Sequence, residues 1–441
     1  MMAAIARKAL FWVLDAISGG PIRSHLRSIR QVTEDMSLLA GHQNARLRAL
    51  LAHAVKTTQY YQGRDVRGGL AAFPVVDKNL IRDSFPRFRS SAFAGKKLKT
   101  METSGSTGTP FKVVQDAGKR QRVLAELIYF NALVGYQVGD RHAFFRTLEP
   151  SSRKNAVKLF MQNEVEFDVR ALDAEVFERQ RQVLRGDRDI GILIGYSSVM
   201  YDLARHVIAR GDTPASFGIK GVLCLSEPLY PKMRAAIRQA FDCLVLSRYS
   251  NQECGVLAAE CPSCQRFHLD TASYFFEILE LDGDRPAAPG APGRIVVTDL
   301  YNYALPMIRY DTGDIGSVIP SDCARFRTPI LKSLEGRRLD SIYDTAGRRL
   351  GSFVTDVIFE SLGGSVRQFQ FIQEAKASYR LRLCVDSAFA QERSVVEDLK
   401  GILGPDALIN IDYVDGIPVL SSGKRKYVVN EYRPKDEDVH D

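Results

Sequence analysis

The 441-residue chain predicts an α/β protein of at least two domains, with a helical N-terminal segment, a sheet-rich core and a small C-terminal domain of mixed strands and helices. Its length exceeds the size at which one hydrophobic core keeps growing. Short apolar runs at 190–194 and 221–225, bounded by glycine or serine, alternate with helical patterns at 198–210 and 231–241, as buried parallel strands do in an α/β core. The stretches 273–281 and 294–300 read instead as strands of a more antiparallel region, punctuated by Asp282-Gly283-Asp284 and the proline-rich turn 286–292. An apolar fraction of 45% with 25% charged residues excludes disorder and fibres.

The N-terminal elements follow from local pattern. Residues 1–20 have a basic start and an apolar centre, but Asp15 interrupts the apolar run, no A-x-A cleavage site follows, and the stretch is too short to span a bilayer. They read as an amphipathic helix, docked on its own protein or peripheral to a membrane. Leu47, Leu50, Leu51, Ala54 and Val55 form the apolar stripe of a helix ending near Tyr60, so residues 1–72 are expected to be a helical cap. The first hundred residues hold 17 Lys/Arg against 6 Asp/Glu, although the whole chain carries only +8. Arg23, Arg27 and Arg30 suit a solvated helix face, and without interleaved aromatics this basicity does not indicate nucleic acid. A turn at 73–78, a strand at 111–114 and a helix at 117–135 complete the approach to the core. Seven cysteines, an odd number, argue against a disulfide framework and for a reducing, cytoplasmic setting.

Immediately before that strand lies Thr103-Ser104-Gly105-Ser106-Thr107-Gly108-Thr109-Pro110. Gly105 and Gly108 can adopt the positive φ angles that aim successive N–H groups at an anion, and the hydroxyls add donors, so the loop is suited to phosphate. It is not a Walker loop, because no Gly-Lys-Ser/Thr follows. Downstream stand Tyr249-Ser250-Asn251-Gln252-Glu253, Arg309-Tyr310-Asp311-Thr312-Gly313-Asp314, Gly336-Arg337-Arg338-Leu339-Asp340 and Ser422-Gly423-Lys424. In this order and spacing, the five segments resemble the motifs of the adenylate-forming superfamily, specifically its phenylacetate:CoA ligase and capsule-biosynthesis adenylating branch.

That resemblance implies a large N-terminal adenylate-forming domain over 1–336, with mixed and parallel sheets, a hinge at 337–340 and a small mobile α+β lid over 341–441. It also implies residue roles. Thr103, Ser104, Gly105, Ser106, Thr107 and Gly108 would grip the ATP phosphates, and Glu253 would help hold Mg²⁺, for which a carboxylate is a suitable hard ligand. Ser226, Glu227 and Pro228 lie where the family places its adenine-binding segment, Tyr249, Ser250 and Asn251 would face the nucleotide, and Asp314, with Asp311 as its nearest rival, would bind the ribose hydroxyls. Arg337 would contact the nucleotide, and Lys424, flanked by Arg425 and Lys426, would stabilise the α-phosphate before lid rotation admits CoA. Ser250 and Gln252 replace the usual Gly and Thr or Ser, and Leu339 stands where many members carry the first acidic hinge residue, Asp340 keeping the second.

Cys261-Pro262-Ser263-Cys264-Gln265-Arg266-Phe267-His268 supplies three zinc-type ligands in C-x2-C-x3-H spacing, and a closed tetrahedron needs a fourth. Cys323, whose position resembles that of a Cys-x-Cys in some relatives, is the expected fourth ligand, with Cys254 its rival. Tyr129, Tyr136, Phe144, Phe145 and Tyr196 are core residues or the lining of an acyl pocket, and His142 and Cys224 are packing residues. The resulting expectation is an AMP-forming ligase using ATP, Mg²⁺ and CoA on a small-molecule carboxylic acid, aromatic or otherwise hydrophobic, acting as a monomer or homodimer. Transfer to an amine, a glycan hydroxyl or a carrier protein is the alternative, and a non-catalytic nucleotide-binding protein is a second.

Overall fold

The computed structural model describes residues 2–103, 111–148, 154–170, 172–337, 341–350, 353–362, 366–385, 388–420 and 424–432. Ser104, Gly105, Ser106, Thr107 and Gly108 of the phosphate loop and residues 338–340 of the expected hinge lie outside the described residues. The chain forms two compact units, one of residues 1–229 and 236–333, the other of 230–235 and 334–441.

The first unit opens with three helices, α1 (Met2–Ile17), α2 (Pro21–Glu34) and α3 (Leu39–Thr57). Pro21, in the first turn, suits the start of α2, and Asp15 at the end of α1 caps it by accepting the Ile22 and Arg23 amides at 2.9 and 3.2 Å. The expected stripe of α3 is realised at Leu50, Leu51 and Ala54, all buried. Asp77 then caps α4 (Lys78–Asp83), which α5 (Phe85–Phe88) follows. Strands β1 (Lys99–Thr103) and β2 (Phe111–Gln115) pair antiparallel, Thr103 opposite Phe111, so the two ends of the expected phosphate loop are held side by side. Asp116 caps the next helix, α6 (Ala117–Asn131), through the Lys119 amide at 3.0 Å.

The alternation read from the sequence is present as β3 (His142–Arg146), α7 (Ala156–Gln162), β4 (Glu164–Asp168), α8 (Ala174–Gly186), β5 (Ile192–Tyr196), α9 (Ser197–Ala209), β6 (Gly221–Leu225), α10 (Pro231–Phe241) and β7 (Leu244–Asn251). Every residue of β5 and β6 is buried, which is why both read as continuous apolar runs. The antiparallel part comprises β8 (Gly255–Glu260), β9 (Phe267–Leu269), β10 (Tyr274–Leu279), β11 (Gly293–Asp299), β12 (Tyr310–Ile319) and β13 (Ile330–Arg337). The two parts are one eleven-stranded sheet in the order β10-β11-β12-β13-β9-β8-β7-β6-β5-β3-β4. Strand β7 joins them, running parallel to β6 and antiparallel to β8. Phe145, Tyr196 and Cys224 lie in the buried core, with Tyr129, Tyr136 and Phe144 packed against it. His142 is more than packing, since its Nε2 lies 3.1 Å from the Glu164 carboxylate.

The second unit contains β14 (Ile342–Tyr343), β15 (Arg349–Leu350), α11 (Phe353–Ser361), β16 (Val366–Ala375), β17 (Ser378–Val385), α12 (Glu392–Leu403), β18 (Leu408–Tyr413) and β19 (Val428–Asn430). Its four-stranded sheet has the order β18-β17-β16-β19, and α12 turns Val395, Leu399 and Leu403 inward. Among the described residues, no helix is long and apolar enough to cross a membrane.

Candidate active site

Ligands of open α/β sheets bind beyond the carboxyl ends of the parallel strands, where connectivity changes direction. The expected nucleotide residues gather at that edge of the first unit. Ser226, Glu227 and Pro228 follow β6, and Tyr249, Ser250 and Asn251 end β7. A β-bulge between Tyr249 and Ser250 shifts the register against β8 and re-aims these side chains. Ser226 has φ 69 and is exposed with Pro228, whereas Glu227 turns inward and accepts the Ser198 amide at 3.0 Å, capping α9.

Two tyrosine–carboxylate pairs organise the site. The Tyr249 hydroxyl donates to Asp314 Oδ2 at 2.6 Å, and the Tyr310 hydroxyl donates to Glu253 Oε1 at 2.9 Å. Burial, then the adjacent carboxylate, pushes both phenols well above their ordinary pKa, so each stays protonated and acts as a donor. The motifs therefore exchange hydroxyls: the tyrosine of each orients the carboxylate of the other. Thr312 braces the turn between them, donating to the Ile295 carbonyl at 2.9 Å and accepting the Asp314 amide at 3.2 Å. Asp311, the rival ribose carboxylate, is occupied differently, accepting Arg294 Nη1 at 2.7 Å and the Gly313 amide at 2.8 Å.

The base of the phosphate loop adjoins these pairs. Phe111, at the start of β2, stacks on Tyr310 with centroids 6.3 Å apart and an interplanar angle of 12°. Gln115, at the end of β2, donates to the Glu253 carbonyl at 3.1 Å. Val76 bonds both neighbours of Tyr310, giving its amide to Arg309 and its carbonyl to Asp311. Behind Glu253 lies a buried polar cluster in which Lys119 pairs with Asp299 at 2.8 Å and donates to Tyr274 Oη at 3.0 Å. Tyr274 in turn donates to the Cys254 carbonyl at 2.9 Å, and Glu126 accepts the Val256 amide at 3.2 Å, so the turn carrying Glu253 is held from below. Gly255 has φ +135, and a Cβ there would sit 2.5 Å from Glu126 Oε2 and 2.8 Å from Tyr274 Oη. Only glycine fits that approach.

Lys424 belongs to the second unit, and its carbonyl accepts the Leu420 amide at 2.9 Å just before β19, whereas Ser422 and Gly423 lie outside the described residues. Arg337 ends β13. Thr103 ends β1.

Cys261, Cys264, His268 and Cys323 converge, with one ligand atom from each lying within 4.8 Å of all the others. Cys261 Sγ and Cys323 Sγ are 3.8 Å apart, which is the edge of a tetrahedron with metal–sulfur bonds of about 2.3 Å. Cys264 Sγ is 3.3 Å from His268 Nε2, while His268 Nδ1 lies 3.0 Å from the Thr328 carbonyl, the outer partner that fixes a metal-binding tautomer. The cysteines are free of disulfides. Cys254, the rival ligand, is buried behind Glu253 beside Tyr274 instead.

Sequence reasoning assigned no role to Tyr310, Gln115, Lys119, Tyr274 or Asp299. Tyr310 had a usable signal, since it stands four residues before Asp314 just as Tyr249 stands four before Glu253. The others had none, because their partners are distant in the chain.

The CapK C-terminal domain family matches residues 342–431. Protein CapK of Staphylococcus aureus is 21% identical over 415 residues, covering 89% of each chain. A phenylacetate-coenzyme A ligase of Pseudomonas putida is 26% identical over 318 residues, covering 67% of this chain and 70% of the relative. The solved 2-hydroxyisobutyryl-CoA ligase in its postadenylation state, complexed with R3-HIB-AMP, superposes with a TM-score of 0.73 at 16% identity over 92% of each chain. The chain thus shares the mixed α/β fold of that ligase, and its similarity along most of its length to relatives of these names supports the adenylate-forming superfamily.

Proposed function

We propose that the protein is an AMP-forming ligase that activates a carboxylic acid with ATP and passes the acyl group to CoA. The observation that carries this reading is the reciprocal pairing of Tyr249 with Asp314 and Tyr310 with Glu253 beside the base of the phosphate loop. In the first half-reaction a carboxylate oxygen attacks the α-phosphorus of ATP, the bond to pyrophosphate breaks, and the acyl-adenylate forms. Asp314, oriented by Tyr249, accepts hydrogen bonds from the ribose hydroxyls, and residues 103–108 hold the β- and γ-phosphates. Glu253 would hold a magnesium ion as an oxygen ligand, and that ion, when bound, would supply positive charge near the departing pyrophosphate. Lys424 supplies a cation to the α-phosphate, and Arg337 contacts the nucleotide. In the second half-reaction the CoA sulfur attacks the acyl carbonyl and AMP leaves. An aromatic or otherwise hydrophobic acid is the proposed substrate.

The cluster of Cys261, Cys264, His268 and Cys323 is proposed to hold a structural zinc ion that ties the β8–β9 turn to the loop before β13. Acid-dependent ATP–pyrophosphate exchange over a panel of carboxylates, followed by thioester detection with CoA, tests the main reading. Exchange with thioester formation is expected, and loss of exchange in Lys424→Ala. ATP binding without exchange for any acid would refute it in favour of a non-catalytic nucleotide-binding protein.

The match of residues 342–431 to the CapK C-terminal domain favours a second reading, in which the acyl-adenylate passes to an amine, a glycan hydroxyl or a carrier protein. Exchange without a CoA thioester would select it.

A further inference from the structure

Helix α1 sits with its polarity reversed. Asp15 is 4% exposed and spent on the start of α2, while Leu10, Val13, Leu14 and Ile17 are 43%, 54%, 48% and 77% exposed. Their i, i+3, i+4, i+7 spacing makes them one stripe along the helix, the kind that normally faces a core. The helix is nevertheless held firmly. The backbone at Gly139 approaches so closely that a Cβ there would lie 2.5 Å from the Ala4 carbonyl, and Lys8 Nζ donates to Gln137 Oε1 at 2.8 Å. Arg7 donates to the Phe160 carbonyl at 3.0 Å with its guanidinium 4.7 Å from the Phe160 ring centroid. That contact joins α1 to α7, where Val157, Phe160 and Met161 are 72%, 66% and 44% exposed. Two helices thus present neighbouring apolar faces to solvent, an arrangement that marks an interaction surface.

Cations border both faces. Lys158 is exposed on α7. Beside α1, Arg23, Arg27 and Arg30 lie exposed on α2, with the Arg23 guanidinium 5.1 Å from the Trp12 ring centroid. Across residues 2–33 the sole acidic side chain is the buried Asp15. The partner must therefore be apolar where the leucines are and anionic where the arginines are. A second copy meeting this face across a two-fold axis would set cations against cations.

We propose that α1 and α7 dock the protein on an anionic phospholipid surface, their apolar side chains entering the boundary between headgroups and acyl chains while the arginines and lysines meet lipid phosphates. This surface is independent of the nucleotide residues and of the ligase reading.

The test uses the full chain with vesicles of phosphatidylcholine alone or with about one-third phosphatidylglycerol. Trp12 is the only tryptophan of the chain and lies in α1, so a blue shift of its emission and quenching by brominated lipid report docking directly. Binding to the anionic vesicles, weakened by salt and absent on phosphatidylcholine alone, is expected. Leu14→Glu with Ile17→Glu should weaken it by about tenfold or more, and Phe160→Ser and Arg23→Glu with Arg27→Glu by roughly fivefold or more each, with circular dichroism unchanged. No binding to anionic vesicles at low salt would overturn the proposal, as would binding indifferent to all of these changes. So would a dimer in light scattering that Leu14→Glu with Ile17→Glu dissolves without any effect on vesicles.

Discussion

Tyr310→Phe removes one oxygen and isolates the contribution of the hydroxyl that orients Glu253. Tyr310 is fully buried, and its ring remains stacked on Phe111 without the oxygen, so the change opens little space. What is lost is a 2.9 Å hydrogen bond to a carboxylate that is itself only 8% exposed. A hydrogen bond to a charged group contributes about 1.5–3 kcal/mol. If Glu253 acts in the adenylation transition state, kcat/KM for pyrophosphate exchange should fall on the order of 10- to 100-fold, at about 1.4 kcal/mol per decade. Stability alone cannot produce that loss while the variant remains folded, and denaturant unfolding measures the folded fraction directly. The decisive assay is a double-mutant cycle with Glu253→Gln. If Tyr310 acts through Glu253, the double variant exchanges no more slowly than Glu253→Gln by itself. An exchange rate within about twofold of the parent for Tyr310→Phe, or additive losses in the cycle, would refute the reasoning.

Asp314→Asn should raise the KM for ATP by about tenfold or more and reduce discrimination against 2′-deoxy-ATP, whereas Asp311→Asn, which disturbs the Arg294 pair, should leave that KM near the parent value; steady-state kinetics with both nucleotides checks this. Gly255→Ala should destabilise the fold by about 2–5 kcal/mol in denaturant unfolding, because it adds backbone strain to a Cβ overlap with Glu126 and Tyr274. Elemental analysis of protein purified without chelators should find one zinc ion per chain, lost in Cys261→Ser and in Cys323→Ser but retained in Cys254→Ser. Burial raises the pKa of Glu164, but hydrogen bonds from His142 and Lys154 outweigh it and bring the value down to about 2 from about 4.5. Because the folded value is depressed, this carboxylate stabilises the protein above about pH 5, by up to roughly 3 kcal/mol, and the contribution disappears as pH falls toward 2. Lys154→Met should therefore cost more stability at pH 7 than at pH 3 when unfolding is compared at the two values.

Local pattern made the parallel core legible, because β5 and β6 are buried on both faces and their sequences are continuously apolar. It also made α3 legible, since Leu50, Leu51 and Ala54 repeat at helical spacing. It could not show that the parallel and antiparallel regions share one sheet, because that depends on β7 pairing β6 on one edge and β8 on the other. Nor could it orient α1: a stripe of leucine, valine and isoleucine looks the same whether it faces the core or solvent, and the burial of Asp15 rather than of the stripe is a tertiary fact. The salt bridge between Lys119 and Asp299 was hidden for a similar reason, as both are single charged residues in ordinary segments until folding brings them to 2.8 Å.

The motifs named the two carboxylates but concealed how they are held. Each places a tyrosine four residues before its acid, a repetition that invites the inference that the tyrosine serves its own neighbour. Folding crosses the assignment, sending Tyr249 to Asp314 and Tyr310 to Glu253. Neither segment orients its acid alone, so both carboxylates are held only once the folded unit brings β12 and the end of β7 within hydrogen-bond reach. A carboxylate pair built this way is positioned only in the complete sheet, and it follows that Tyr249→Phe should disturb ATP recognition through Asp314 while leaving the Glu253 pair intact. A matching loss at both carboxylates from either tyrosine alone, read as equal effects on ATP affinity and on exchange turnover, would mean that the two pairs act as one unit rather than as two crossed ones.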